Sequence, residues 1–113
     1  MVKKYIPKQG DIVFLDFNPT KGHEQAGTRP AVVISTDVFN QNTKMVILCP
    51  ITSNNKEFPT HYQLEDTKKI NGSVLCEHIR SIDYEVRNLK FIEKLSENDF
   101  ISVITLVNAC IEN

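Results

Sequence analysis

General acid–base chemistry most often uses histidine, and this chain has three, His23, His61 and His78. No two have the i, i+4 spacing of a helical metal pair, and none belongs to the Cys/His grouping of a metal site, so no metal is expected, and no cofactor is expected either. Serine-hydrolase and β-lactamase motifs are absent. Gly22 and Gly27 bracket a loop, but no GxxxxGK[ST] is present and a strand rather than a helix follows, so a phosphate-cradling P-loop is not expected. What stands out is Arg29, where the polar stretch GHEQAGTRPAVVIS (residues 22–35) passes into the apolar run 31–34, and Thr52, where another apolar run opens into the polar residues 53–56. Arginine is a permanent cation whose planar fork matches two phosphate oxygens, suited to stabilising charge on a pentacoordinate phosphorane. A nearby threonine hydroxyl can bond the same phosphate or relay a proton.

The elements that must position this pair follow from the hydrophobic pattern. Residues 11–17 (DIVFLDF) form a β-rich run, and the turn chemistry of Asn18-Pro19 opens a loop through Thr28, long for a hairpin and therefore suspected of function. Residues 29–36 are the second expected strand, with Arg29 held extended because it precedes Pro30. Residues 37–44 are read as a polar, turn-rich connection, and residues 45–52 (MVILCPIT) as a buried strand in which Pro50 marks a bulge or a strand end. Residues 60–65 and 73–83 are read as strands, the second with Val74, Cys76, His78, Arg80 and Ile82 on one face and Leu75, Glu77 and Ile79 on the other. His61 is read as a surface strand residue, and residues 88–94 as a last short strand. Ser96 then caps an amphipathic helix whose Phe100, Val103, Ile104, Val107 and Ile111 recur on one stripe. About six strands and one C-terminal helix predict a mainly β, small, partly closed antiparallel barrel.

At 113 residues, with no repeat, low-complexity tract or linker, a single domain over 1–113 is expected. No apolar run approaches the roughly 18–20 residues of a membrane span, and the start (MVKKYIPKQG) has no apolar segment after its lysines, so a cytoplasmic location is expected. Cys49, Cys76 and Cys110 fit neither a disulfide framework nor a metal knuckle and are expected to be reduced and buried. The net charge of −1 is unevenly spread: residues 1–56 hold seven Lys/Arg against four Asp/Glu, and residues 57–113 six against ten. That excludes a protein living on long, non-specific polyanion binding but leaves a short anion site open. A core of this size also makes a symmetric oligomer reasonable.

The blocks GDIV at 10–13, DFNP at 16–19, G-x-E-Q-x-G-x-R-P-x-V-V at 22–33, CPIT at 49–52 and CEHIRSID at 76–83 together resemble the MazF/PemK family of bacterial toxins, in order and over essentially the whole chain. The resemblance implies an SH3-like, partly closed antiparallel β-barrel, shared in outline with CcdB toxins, and a homodimer. It implies the toxin of a type II toxin–antitoxin system: a metal-independent, sequence-specific endoribonuclease cleaving single-stranded RNA, mRNA above all. The 2′-hydroxyl attacks the adjacent phosphate to leave a 2′,3′-cyclic phosphate and a 5′-hydroxyl. Arg29 and Thr52 match catalytic positions, and Glu24 a position tied to activity; the general base stays open among Thr52, His23 and Glu24. Phe17 is the candidate stacking platform, Glu77, His78 and Arg80 candidate base-edge readers, and His23, Gln25 and Lys56 further candidate RNA contacts. Many relatives have Gln where this chain has His78. The implied partner is a MazE-like antitoxin whose acidic, disordered tail blocks the RNA groove, with operator DNA bound only through the joint complex. Two other functions fit the same fold: a CcdB-like gyrase-poisoning toxin and a catalytically silent SH3-like interaction module.

Overall fold

The computed structural model describes residues 4–17, 27–54 and 56–113. Strands β1 (Asp11–Asp16), β2 (Thr28–Val33) and β3 (Met45–Thr52) run antiparallel at the centre. Around them lie helix α1 (Asp37–Thr43), strands β4 (His61–Gln63), β5 (Ser73–Leu75) and β6 (Arg80–Asp83), helix α2 (Tyr84–Arg87), strand β7 (Lys90–Lys94) and helix α3 (Glu97–Ile111). The sheet order is β4-β5-β3-β2-β1-β7, with β6 paired to β3 off this path. Since β4 and β7 are not neighbours among the described residues, the barrel is only partly closed, as the sequence suggests. No helix is long and apolar enough to cross a membrane among the described residues.

The central runs are continuously apolar because both faces of β1–β3 are buried. Ile12, Val32, Cys49 and Ile51 point into one cluster with Val74, Cys76, Val103 and Val107. Their sequence neighbours Val13, Leu15, Ala31, Val33, Val46 and Leu48 point into a second, with Phe17, Ile82, Tyr84 and Leu89. Pro50 pairs with Ala31 inside β3 but falls between the stretch paired to β6 (45–48) and the stretch paired to β5 (51–52). The N–H it lacks is claimed by neither of those ladders, which is how a proline sits within a core strand.

Three expectations change. Residues 37–43 are helical, not a loop: the Thr36 hydroxyl accepts from the Phe39 N–H, Lys44 closes the helix in the left-handed conformation, and buried Asn40 donates to the Pro7 carbonyl. The single strand expected over 73–83 is broken at 76–79, where the His78 N–H turns back to the Leu75 carbonyl and the Cys76 N–H bonds the Thr60 carbonyl. The two-face alternation assigned to it therefore does not hold, and its halves serve different strand partnerships. Cys110 is exposed, whereas Cys49 and Cys76 are buried; all three are free.

The capping of α3 is as expected, the Ser96 hydroxyl accepting from the Asp99 N–H. Asp99 itself is buried and holds the chain after β4, accepting from the Tyr62 hydroxyl (2.7 Å) and the backbone N–H of Asp66 (2.9 Å). The next segment is clamped by Glu93 of β7, whose carboxylate accepts the N–H groups of Lys68, Lys69 and Ile70 at 3.0, 2.8 and 2.9 Å. Burial pushes this carboxyl up, but the three N–H donors and the Lys69 charge outweigh it and hold it below the usual range. A depressed folded pKa adds stability above the unfolded pKa that is lost as pH falls through the folded one. Glu93→Gln is therefore expected to cost about 1 kcal/mol at pH 7, discounted for solvent screening, and the gap to wild type should shrink in acid. Urea unfolding at pH 7 and pH 3.5 measures both; a gap that is constant with pH would rule out the charge as its source.

Candidate active site

Arg29 lies near the start of β2, half-buried, opposite Leu15 of β1. The β2–β3 ladder ends where Ala31 pairs with Pro50, and Arg29 and Thr52 each lie two residues past that last pair, at the same end of the two strands. The pair singled out in the sequence is thus brought to one end of the central sheet by ordinary antiparallel pairing. Thr52 is half-buried, pairs with Ser73 of β5, and its Oγ1 accepts the Asn54 N–H at 3.2 Å. That bond fixes the oxygen while its proton remains free to point at a ligand.

Thr52 opens onto a cleft of ≈ 550 Å³ lined by Asn54, Lys56, Phe58, His61, Leu75, Glu77 and His78. A second cleft of ≈ 670 Å³ continues from it, sharing Lys56, Phe58 and His61 and reaching Gln63 and Ser73. Lys56, Glu77 and His78 therefore stand in one concavity with Thr52, as a shared ligand surface requires. Glu77 is its electrostatic centre. Its Oε1 accepts the Thr60 hydroxyl at 2.8 Å, its Oε2 lies 2.8 Å from His61 Nε2, and His78 Nε2 is 3.7 Å from that same oxygen. Burial raises the Glu77 carboxyl, but its own backbone N–H, the Thr60 hydroxyl and His61 outweigh burial and lower it, so Glu77 is an anion at neutral pH. Behind the cleft, burial pushes the Cys76 thiol up to about 12, which leaves no thiolate nucleophile there.

Two sequence candidates are placed differently from their expected roles. Phe17 is fully buried in the second core cluster, so its ring offers no face for base stacking. The Arg80 guanidinium sits 5.4 Å over that ring and donates to the Phe17 carbonyl at 3.1 Å. With the Phe17 N–H bonded to the Gly27 carbonyl, these contacts fasten the stem through which the chain leaves β1 and returns to β2 beside Arg29. Glu24, His23 and Gln25 lie outside the described residues.

Sequence reasoning missed His61 and Phe58 as cleft residues, and Thr60 as the donor to Glu77. The β4–β5 pairing that aligns His61 with Leu75 is what carries the ring to Glu77, 16 positions later. Only the register of that short hairpin could have revealed it. Among the described residues no group of His, Cys, Asp or Glu could hold a metal ion.

Residues 8–111 match the family described as PemK-like, MazF-like toxin of type II toxin-antitoxin system. The endoribonuclease toxin MazF of Escherichia coli (strain K12) is 40% identical over 87 residues, covering 77% of this chain and 78% of that protein. The crystal structure of MazF from Deinococcus radiodurans superposes with a TM-score of 0.91 at 32% identity, over 97% of this chain and 100% of that one. A MazE-MazF structure from the same organism gives 0.82 at 28% identity, over 96% and 98%. A mainly antiparallel, partly closed SH3-like barrel with a C-terminal helix, matched over nearly its whole length, places this chain in the PemK-like, MazF-like toxin family of type II toxin–antitoxin systems.

Proposed function

We propose that Arg29 and Thr52 cleave single-stranded RNA at a phosphodiester under attack by its own 2′-hydroxyl. The chain is an endoribonuclease toxin, as its MazF relatives are named. The observation that supports the residue assignment is that Arg29 and Thr52 both lie just past the same end of the β2–β3 ladder, where Thr52 lines a cleft of polar and aromatic side chains. As the 2′-oxygen bonds to phosphorus and the bond to the 5′-oxygen breaks, negative charge builds on the non-bridging oxygens, where a guanidinium fork is the matched counter-charge. Thr52 orients the phosphate or relays the proton leaving the 2′-hydroxyl, and the departing 5′-oxygen takes up a proton. RNA brings its own nucleophile, which suits a site whose neighbouring thiol stays protonated.

Lys56 and His78 hold the flanking RNA in the cleft, and Glu24 in the loop before Arg29 assists cleavage, with His23 and Gln25 as further contacts. The toxin works in the cytoplasm as a homodimer. A MazE-like antitoxin blocks the cleft with an acidic tail and supplies the contact to operator DNA; the resemblance to MazE-MazF assemblies supports this pairing.

Purified protein incubated with a long single-stranded RNA in EDTA should cut at a short recurring sequence. The upstream fragments should end in a 2′,3′-cyclic phosphate and the downstream fragments in a 5′-hydroxyl that polynucleotide kinase labels without prior phosphatase. Intact RNA at micromolar enzyme, or 5′-phosphate ends, would sink this mechanism.

A further inference from the structure

Of the four glycines in the chain, Gly72 alone follows an asparagine, in the run Ile70-Asn71-Gly72-Ser73. Asparagine is a thermolabile side chain. Its amide carbon can be attacked by the backbone nitrogen of the next residue, and a glycine leaves that nitrogen unshielded because it carries no Cβ. Asn71 is exposed and lines an open cleft of ≈ 470 Å³ with Ser53, Gln63 and Gly72. Among the described residues no acceptor engages the Gly72 N–H and no partner holds the Asn71 amide, so neither reacting group is committed elsewhere. Both flanks, in contrast, are fastened. The Ile70 N–H donates to the Glu93 carboxylate at 2.9 Å and the Ile70 carbonyl accepts the Thr67 hydroxyl. The Gly72 carbonyl accepts the Leu64 N–H and the Gln63 side-chain amide. Asn71 is thus a single link between two anchored points, and Gly72 lies so close to β3 that a Cβ on it would overlap the Thr52 carbonyl oxygen.

We propose that Asn71-Gly72 is a site of spontaneous covalent modification, cyclising and reopening to isoaspartate, and that the product displaces the strand end carrying Thr52. The Gly72 nitrogen gives its proton to water and bonds to the Asn71 side-chain carbonyl carbon. The bond from that carbon to Nδ2 breaks, and Nδ2 takes up a proton and leaves as ammonia. The five-membered succinimide that results adds one water at either of its carbonyls. Opening between the ring nitrogen and the side-chain carbonyl restores the ordinary main chain with a carboxylate side chain. Opening between the ring nitrogen and the main-chain carbonyl routes the chain through the side-chain methylene, which is isoaspartate. The sum is an amide and a water converted to a carboxylate and ammonia, with nothing oxidised or reduced. Isoaspartate lengthens the main chain by one carbon between Ile70 and Gly72, which Glu93 on one side and Gln63 with Leu64 on the other hold in place. The extra length presses on Gly72, where the nearest obstacle is the Thr52 backbone. The consequence for cleavage rests on the RNA-cleaving function above; the modification itself does not.

The test ages wild type and Asn71→Ala side by side, warm and at mildly alkaline pH, which favours loss of the Gly72 proton. Isoaspartate is counted by methyl transfer from labelled S-adenosylmethionine with isoaspartyl methyltransferase and located by peptide mapping. It should accumulate at residue 71 of wild type, and Asn71→Ala should stay free of it there. In single-turnover cleavage, aged wild type should split into a phase at the fresh rate and a phase about tenfold or more slower, because misplacing a reacting group by about 1 Å can cost 10²-fold. The slow amplitude should equal the isoaspartate fraction, and aged Asn71→Ala should keep one fast phase. The modified fraction should also unfold at lower urea than fresh protein, a readout that needs no RNA. Fresh Asn71→Asp should match fresh wild type, which separates the lengthened chain from the added charge. Prolonged treatment with the methyltransferase and S-adenosylmethionine, which returns isoaspartate to the ordinary linkage, should recover the fast phase. Aged wild type without isoaspartate at residue 71, or carrying it with the fresh rate and the fresh urea midpoint, overturns the proposal. RNA left intact by fresh protein, while isoaspartate forms and lowers the urea midpoint, would count against the nuclease mechanism instead.

Discussion

Arg29→Ala should cut single-stranded RNA at least about 10³-fold more slowly than wild type while unfolding at nearly the same temperature. Removing one preorganised donor from a developing oxyanion costs about 10²–10³ in rate, and Arg29 supplies a full charge and two donors at once. Arg29→Lys keeps the charge but replaces the planar fork by a point charge, and should recover no more than a minor part of the loss. Thr52→Ala should fall by about 10²-fold, and Thr52→Ser, which restores a hydroxyl at the same strand end, should rescue most of it. Because the two side chains act on one phosphate, the double variant should be little worse than Arg29→Ala alone. Stability should hardly change, because both side chains are only half-buried at the end of the central sheet. Single-turnover cleavage of one labelled oligonucleotide, beside thermal unfolding, measures all of this. Near-wild-type cutting by folded Arg29→Ala would remove Arg29 from the chemistry.

How far such a site can be read from sequence depends on how far apart its parts lie along the chain. Arg29 and Thr52 could be singled out because each sits where an apolar run meets a polar stretch, and the three central strands could be placed because burial on both faces makes their runs continuous. The helix α3 announced itself through its serine cap and apolar stripe. The break at 76–79 did not, because it contains neither glycine nor proline; the Thr60 carbonyl, contributed by a distant segment, holds its first N–H. Helix α1 is seven residues long and mostly polar, so it has no periodicity to detect, and its anchor Asn40 is specified by contacts to Pro7 and Ser35. Phe17 looked like a platform because it ends a strand at a loop, yet it is the last residue of its run pointing into the second core cluster and lies under Arg80. His61 reads as a surface residue in the sequence because its partner Glu77 is supplied by a hairpin register that composition does not encode.

Gly72→Ala should destabilise the protein by about 1–3 kcal/mol, the usual range for overpacking, and slow cleavage by about tenfold or more with the substrate unchanged. Gly72 has φ +150°, and a Cβ on it would stand 2.4 Å from the Thr52 carbonyl oxygen, 3.1 Å from the Thr52 carbonyl carbon and 3.0 Å from Ile51 Cγ2. The nearest obstacles are backbone, so no side-chain rotation relieves the contact. Gly72 cannot easily retreat either, since its carbonyl accepts both the Leu64 N–H at 3.0 Å and the Gln63 side-chain amide at 3.1 Å. The strand end carrying Thr52 must therefore yield, and the hydroxyl moves with it; misplacing a reacting group by about 1 Å can cost 10²-fold in rate. The defect should lie in the single-turnover rate more than in RNA affinity, because the atoms a Cβ would meet belong to Ile51 and Thr52, whereas Glu77, His61 and Phe58 line the cleft beyond them. Asn71→Ala, one residue earlier and exposed, should leave both stability and rate close to wild type. Urea unfolding with single-turnover kinetics, at a temperature where the variant is fully folded, separates lost protein from a displaced hydroxyl. Wild-type rates in folded Gly72→Ala would mean that Thr52 need not be held where β3 puts it.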